Sequence, residues 1–149
     1  MFPEPGQPAP DFAAPDQHGN LISLSSLRGK KVALYFYPKD DTPGCTAQAC
    51  NLRDLQVELT AHNVQVVGVS IDTAASHQKF ALKYELPFPL LPDPDKAIAT
   101  AYGVWQEKKN YGKTYMGIVR TTFLIDENGL IERVIKRPDT KEHTAQLLG

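Results

Sequence analysis

Val32-Ala33-Leu34-Tyr35-Phe36-Tyr37-Pro38, followed at once by Thr42-Pro43-Gly44-Cys45, is the stretch that decides the fold. The first six residues are apolar or aromatic with no polar alternation, which predicts a strand covered on both faces rather than one. Pro38 ends it, because proline has no amide to give to a sheet ladder. Thr42 then suits a helix N-cap and Pro43 the first helical position, so a helix is expected to begin here with Cys45 in its first turn. A buried strand running into a helix is the unit of an α/β sheet.

Working outward, Val64-Gln65-Val66-Val67-Gly68-Val69-Ser70-Ile71 has the same buried-strand character. It is followed by a helical pattern over Ser76 to Tyr84, with Phe80 and Tyr84 four apart on one face. Leu86 to Pro94 holds too many prolines for a helix or a central strand and predicts a rigid connection. A short helix is expected near Lys96 to Tyr102. Thr121-Thr122-Phe123-Leu124-Ile125 and Leu130-Ile131-Glu132-Arg133-Val134-Ile135, joined through Asn128-Gly129, predict a hairpin. A second, N-terminal hairpin is expected around His18-Gly19-Asn20, and a C-terminal helix over Lys141 to Leu148. Pro3 to Pro10 reads as a lead-in arm. With no repeat, linker or low-complexity tract, the expectation is one domain over residues 1–149, a central mixed β-sheet flanked by helices.

Composition narrows the function. The chain has 149 residues and a formal net charge of -1, so it lacks the cationic surplus that nucleic acid or an anionic membrane would require. No apolar run approaches the roughly 18 residues of a membrane span, and Met1-Phe2-Pro3-Glu4-Pro5 lacks the basic-then-apolar order of a signal peptide. A cytoplasmic protein is expected. Two cysteines are too few for a disulfide scaffold and suggest catalysis, metal binding or redox sensing.

The chemistry gathers between Pro38 and Cys50. In the first turn of a helix, unpaired amides and the positive end of the helix dipole favour a thiolate, the reactive form of cysteine. At about 100° per residue, Cys45 shares a face with Ala49, Leu52, Leu55 and Leu59, whereas Cys50 points about 140° away, beside Arg53, Asp54 and Val57. The first thiol therefore looks into the core and the second outward. A structural zinc site would need four ligands at paired spacings, and His18, His62, His77 and His143 are scattered. A Cys-His hydrolase leaves Cys50 without a task, and a disulfide oxidoreductase of the Cys-x-x-Cys type needs two intervening residues, not four.

These residues resemble a known family. Pro38, Thr42 and Cys45 match the Pro-x-x-x-Thr-x-x-Cys motif of peroxiredoxins, and Phe36-Tyr37-Pro38-Lys39 through Thr42-Pro43-Gly44-Cys45-Thr46 to Cys50 is similar to the bacterioferritin comigratory protein, or peroxiredoxin Q, branch. The likeness extends through Pro10-Asp11-Phe12, Asp16-Gln17-His18-Gly19, Gly68-Val69-Ser70, Tyr102-Gly103-Val104-Trp105 and Arg120-Thr121-Thr122-Phe123-Leu124-Ile125-Asp126. The resemblance implies a thioredoxin-like fold and a peroxidase in which Cys45 attacks hydrogen peroxide or an organic hydroperoxide and becomes a sulfenic acid. It further implies that Thr42 and nearby backbone hold the peroxide, Arg120 stabilises thiolate and transition state, Pro38 shields the pocket, and Cys50 resolves the product as a disulfide. No metal, haem or flavin is implied; a dithiol such as thioredoxin is the implied reductant. No cysteine follows Cys50, so resolution within one chain, and a monomer, are expected. A redox-sensing or chaperone-like protein using the same pair is the alternative.

One physical conflict is already visible. A helix is expected to run from Cys45 to Ala61, yet residues five apart on a helix have Cα atoms roughly 8 to 9 Å apart, beyond the limit of about 7 Å for a disulfide. Joining Cys45 to Cys50 requires the helix start to unwind.

Overall fold

The strand read from residues 32–37 is the centre of the sheet. In the computed structural model, which describes residues 2–149, it is β3 (Lys31–Phe36), preceded by a short antiparallel hairpin of β1 (Ala13–Pro15) and β2 (Leu21–Ser23). There follow α1 (Pro43–Asp54), α2 (Gln56–Ala61), β4 (Val64–Ser70), α3 (Ala74–Tyr84), β5 (Leu90–Pro92) and α4 (Ala97–Ala101). The chain ends with β6 (Trp105–Asn110), β7 (Lys113–Ile118), β8 (Thr121–Ile125), β9 (Ile131–Ile135) and α5 (His143–Leu148).

Five strands form the main sheet in the order β5-β4-β3-β8-β9. β3 runs parallel to β4 and antiparallel to β8, so the sheet is mixed, as expected. Residue alternation along β3 sends Val32, Leu34 and Phe36 into one core and Ala33, Tyr35 and Tyr37 into the other. The second core also receives Cys45, Ala49, Leu52 and Leu59 from the helices that follow β3. Gly68 in β4 permits this packing: a Cβ there would stand 3.0 Å from the Tyr35 ring and 2.8 Å from Leu90 Cδ2.

Both expected hairpins are present, and their turns share one design. Asp16 Oδ1 accepts the amides of His18 and Asn20, and Asp126 Oδ1 those of Asn128 and Leu130. Gly19 and Gly129 supply the positive φ, 82° and 83°. The arm before β1 also behaves as expected, bonding through Gly6, Gln7 and Ala9 to the edge at Gly129 and Ile131.

Two expectations are corrected, and one element is new. The proline-rich connection contains strand β5, which pairs in parallel with β4. Prolines are tolerated there because this strand lies at the end of the sheet order and spends only one side of its backbone on the ladder. The helix expected over Cys45–Ala61 is divided at Leu55, whose backbone leaves the helical region at φ −109° and ψ 22°. Finally, β6 and β7 form a hairpin that the pattern did not announce. Its strands are rich in charged and polar residues, and its turn places Tyr111 and Gly112, both with positive φ, where Asn-Gly is the usual signal.

Candidate active site

Pro43 occupies the first turn of α1, as the Thr-Pro pair predicts, and places Cys45 in that turn with its side chain buried at 1% exposure. Thr42 has the extended backbone of an N-cap, φ −100° and ψ 157°, but its hydroxyl does not cap the helix. It donates instead to the Lys39 carbonyl at 2.8 Å, within the same loop. The amides of Gly44 and Cys45, in the first turn, have no intrahelical acceptor.

The loop between β3 and α1 is fastened from both sides. Asp40 is buried and accepts from Tyr37 Oη at 2.5 Å and Ser76 Oγ at 2.8 Å, with His77 Nδ1 at 2.7 Å. Its amide donates to Asp72 Oδ2 at 2.8 Å, and that oxygen also accepts from Ser70 Oγ. Asp41 adopts a left-handed φ of 57° and is held there by Lys83 Nζ at 2.9 Å and Tyr84 Oη at 2.8 Å. Those two hydrogen bonds keep its carboxyl below the ordinary carboxylate range. Tyr37, Asp40 and Asp41 together fasten the loop from which α1 begins. Asp40, Asp72 and His77 bring ligand-type atoms within 4.8 Å of one another. Both Asp40 oxygens and Asp72 Oδ2 are already occupied by hydroxyl, amide and imidazole groups, which a metal ion would have to displace, so the group reads as a hydrogen-bond network.

Arg120 reaches Cys45 across 75 residues of sequence because of strand register. β3 and β8 pair Phe36 with Thr121, so the residue before β8 lies beside the end of β3, where the loop to α1 departs. Val119 is fixed by its amide to the Val104 carbonyl at 2.9 Å, and its own carbonyl accepts the Thr121 hydroxyl at 2.8 Å. From this held position Arg120 Nη2 donates to Cys45 Sγ at 3.1 Å, and Nη1 donates to Gln48 Oε1 at 2.5 Å. Gly44 leaves room for the guanidinium, since a Cβ there would stand 3.3 Å from Nη2.

Gln48 is the residue that sequence reasoning missed. It is fully buried, and its Nε2 has no protein partner. A signal was available: three residues beyond Cys45, it lies one turn along on nearly the same face, a polar group at a core-facing position. Pro38 is half-buried directly after β3. Cys50 is half-buried on the other side of α1, and both thiols are free, so the continuous helix keeps them apart as expected. Beneath the site, Tyr35 and Tyr37 stack with ring centroids 5.3 Å apart. Burial holds both hydroxyls well above the usual tyrosine range, and for Tyr35 the proximity of Cys45 and Asp40 acts in the same direction.

Comparison with known proteins agrees with this geometry. The model of the AhpC/TSA family matches residues 5–134. The chain belongs to the AhpC/TSA family, in its Bcp peroxiredoxin branch. It is 46% identical over 148 residues to peroxiredoxin Bcp of Bacillus subtilis, covering 99% of this chain and 94% of that one. To peroxiredoxin Bcp of Escherichia coli K12 it is 47% identical over 138 residues, covering 93% and 88%. Among solved structures, the Xanthomonas campestris bacterioferritin comigratory protein, described for its alkyl peroxide reduction activity, superposes with a TM-score of 0.89 at 32% identity, covering 97% of this chain and 95% of that one. BcpB of Mycobacterium tuberculosis gives 0.87 at 36% identity, covering 99% and 95%. The peroxiredoxin resemblance read from the motif is borne out, and with it the thioredoxin-like fold and the reading of the chain as a thiol peroxidase. Among the described residues, no helix is long and apolar enough to cross a membrane.

Proposed function

We propose that this peroxiredoxin reduces hydrogen peroxide and organic hydroperoxides with Cys45 as nucleophile and Cys50 as resolving thiol. The observation that carries the proposal is the Arg120 guanidinium donating to a buried Cys45 Sγ at 3.1 Å in the first turn of α1. The Cys45 thiolate attacks one oxygen of the peroxide, the O–O bond breaks, and the other oxygen leaves as water or an alcohol after taking a proton. Negative charge grows on the leaving oxygen, and donors fixed in advance stabilise it. Arg120 is one such donor, and the free amides of the helix start are the others. With that hydroxyl's proton committed to Lys39, its oxygen is free to accept the proton of a bound hydroperoxide. Half-buried Pro38 closes the loop side of the pocket against water.

Cys45 sulfenic acid is then resolved by Cys50, giving a disulfide and water once the start of α1 has unwound. An external dithiol, for which thioredoxin is the natural class, returns both thiols and is itself oxidised to a disulfide. All of this fits within one chain acting as a monomer in the cytoplasm. Peroxide loss coupled to a thioredoxin system tests the reading. The parent protein should turn over repeatedly and Cys45→Ser should be silent; peroxide consumption by Cys45→Ser at the parent rate would overturn it.

A further inference from the structure

If Cys50 resolves Cys45, α1 must melt from its start, and the melting must stop somewhere. The structure marks both limits. On one side, Asp40 and Asp41 are tied to α3 and to the segment after β4 by the bonds already described. On the other, attachment changes abruptly just after Cys50. Asn51 Nδ2 donates to the Lys141 carbonyl at 2.9 Å, its Oδ1 accepts the Thr144 amide at 2.8 Å, and its carbonyl accepts the Thr144 hydroxyl at 3.4 Å. Leu52 is fully buried, and Arg53 Nη1 donates to the Tyr84 carbonyl at 2.8 Å. Between these limits, among the described residues, the only side-chain hydrogen bonds from residues 43–50 to other elements are those of Cys45 and Gln48 to Arg120.

We propose that Asn51 is a positioning residue for the resolving step, a clamp that lets α1 melt through Cys50 and no further. Its side chain does for α5 what Glu142, at the N-cap position, does not do: it satisfies an amide in the first turn. Unwinding past residue 50 would strip the Thr144 amide and the Lys141 carbonyl of their partner, so opening becomes costlier at that point. Cys50 is thereby kept at the fixed edge of the opened segment while Cys45 moves to it. In the step served, the Cys50 sulfur attacks the Cys45 sulfenic sulfur, the S–S bond forms, and the S–O bond breaks. The oxygen departs as water with the thiol proton, and no further oxidant is needed. Without the clamp Cys50 itself joins the mobile segment, and the thiol that Cys45 must reach is no longer held at a fixed edge.

This inference rests on Cys50 being the resolving thiol, and the test separates the two. In Asn51→Ala, the single-turnover rate of Cys45 oxidation should stay within twofold of the parent, since Arg120 and Gln48 are untouched. The following disulfide step should slow by clearly more than that twofold margin, and the fraction of Cys45 over-oxidised at fixed excess peroxide should rise with it. Hydrogen exchange on the oxidised parent should show protection of residues 51–54 and of Thr144, and loss of both in Asn51→Ala. Asn51→Asp, which keeps an acceptor for the Thr144 amide, should restore protection there. A disulfide step at the parent rate, unchanged exchange in Asn51→Ala, or an equal fall in both chemical steps overturns the clamp. If instead Cys50→Ser recycles as fast as the parent, the resolving role itself fails, whatever Asn51 does.

Discussion

Arg120→Met keeps an unbranched side chain of related length and deletes the guanidinium. Two bonds disappear, to Cys45 Sγ at 3.1 Å and to Gln48 Oε1 at 2.5 Å, and they have different consequences. The first is charge-assisted when the sulfur is a thiolate, and bonds of that kind contribute about 1.5 to 3 kcal/mol. If that stabilisation is felt fully in the transition state, peroxide reactivity falls roughly 10- to 150-fold. The second loss falls on stability. Gln48 Nε2 already lacks a protein partner, so the variant leaves a whole amide buried and unpaired, at about 1 to 3 kcal/mol for the newly orphaned oxygen. Single-turnover oxidation of Cys45, quenched and read by mass, gives the first number; urea unfolding of the reduced protein gives the second. A variant that loses stability but reacts within threefold of the parent would refute the catalytic role and leave Arg120 as a tie for Gln48 alone.

Cys50→Ser should react once with peroxide at the parent rate and then stall as a Cys45 sulfenic acid that over-oxidises in excess peroxide; normal recycling by thioredoxin would show that another thiol resolves it. Hydrogen exchange over residues 45–50 should be slow in the reduced protein and fast in the disulfide form, and equal protection in the two would exclude the unwinding step. A third expectation concerns acid. His143 is fully buried between Thr122 and Gln146, and burial lowers its pKa from the ordinary 6.5, with Gln146 opposing and Arg120 reinforcing the shift. The unfolded chain therefore binds the proton first as pH falls. The stability held above pH 6.5 drains between that value and the lowered folded one, with a slope of at most about 1.4 kcal/mol per pH unit. His143→Gln should flatten the curve of urea stability between pH 7.5 and 5.5, and an unchanged slope would remove His143 as its source.

The parts of the fold legible in sequence are those governed by local chemistry. The buried run of β3, the Thr-Pro helix start and the two Asp-x-x-Gly turns each carry their signal within a few residues. The polar hairpin of β6 and β7 carries none, because its strands expose charged side chains and Tyr111 stands where a turn residue is expected. Strand β5 was hidden because proline content argues against a central strand and says nothing against an edge. At the site, Cys45 was legible from its helix position and the outward direction of Cys50 from helical phase, but the pairing of Arg120 with Cys45 depends on the register of β3 against β8, which no local pattern reports. Gln48 stands between these cases: its spacing from Cys45 was visible, its partner was not.

That register also determines where this chain can change length. Side chains alternate faces along a strand, so sliding β8 by one residue against β3 would exchange its two faces and carry the Arg120 position away from α1. Residues added at the tips, at Tyr111-Gly112 or at Glu127-Asn128, lie beyond the paired strands and leave Phe36 opposite Thr121. One residue inserted between Ile118 and Thr121 has no such freedom, because Val119 is pinned to Val104 on one side and Thr121 to the sheet on the other. Loop grafts and reporter insertions thus have a permissive address at the Tyr111-Gly112 tip, and the two-residue link leading into β8 is closed to them.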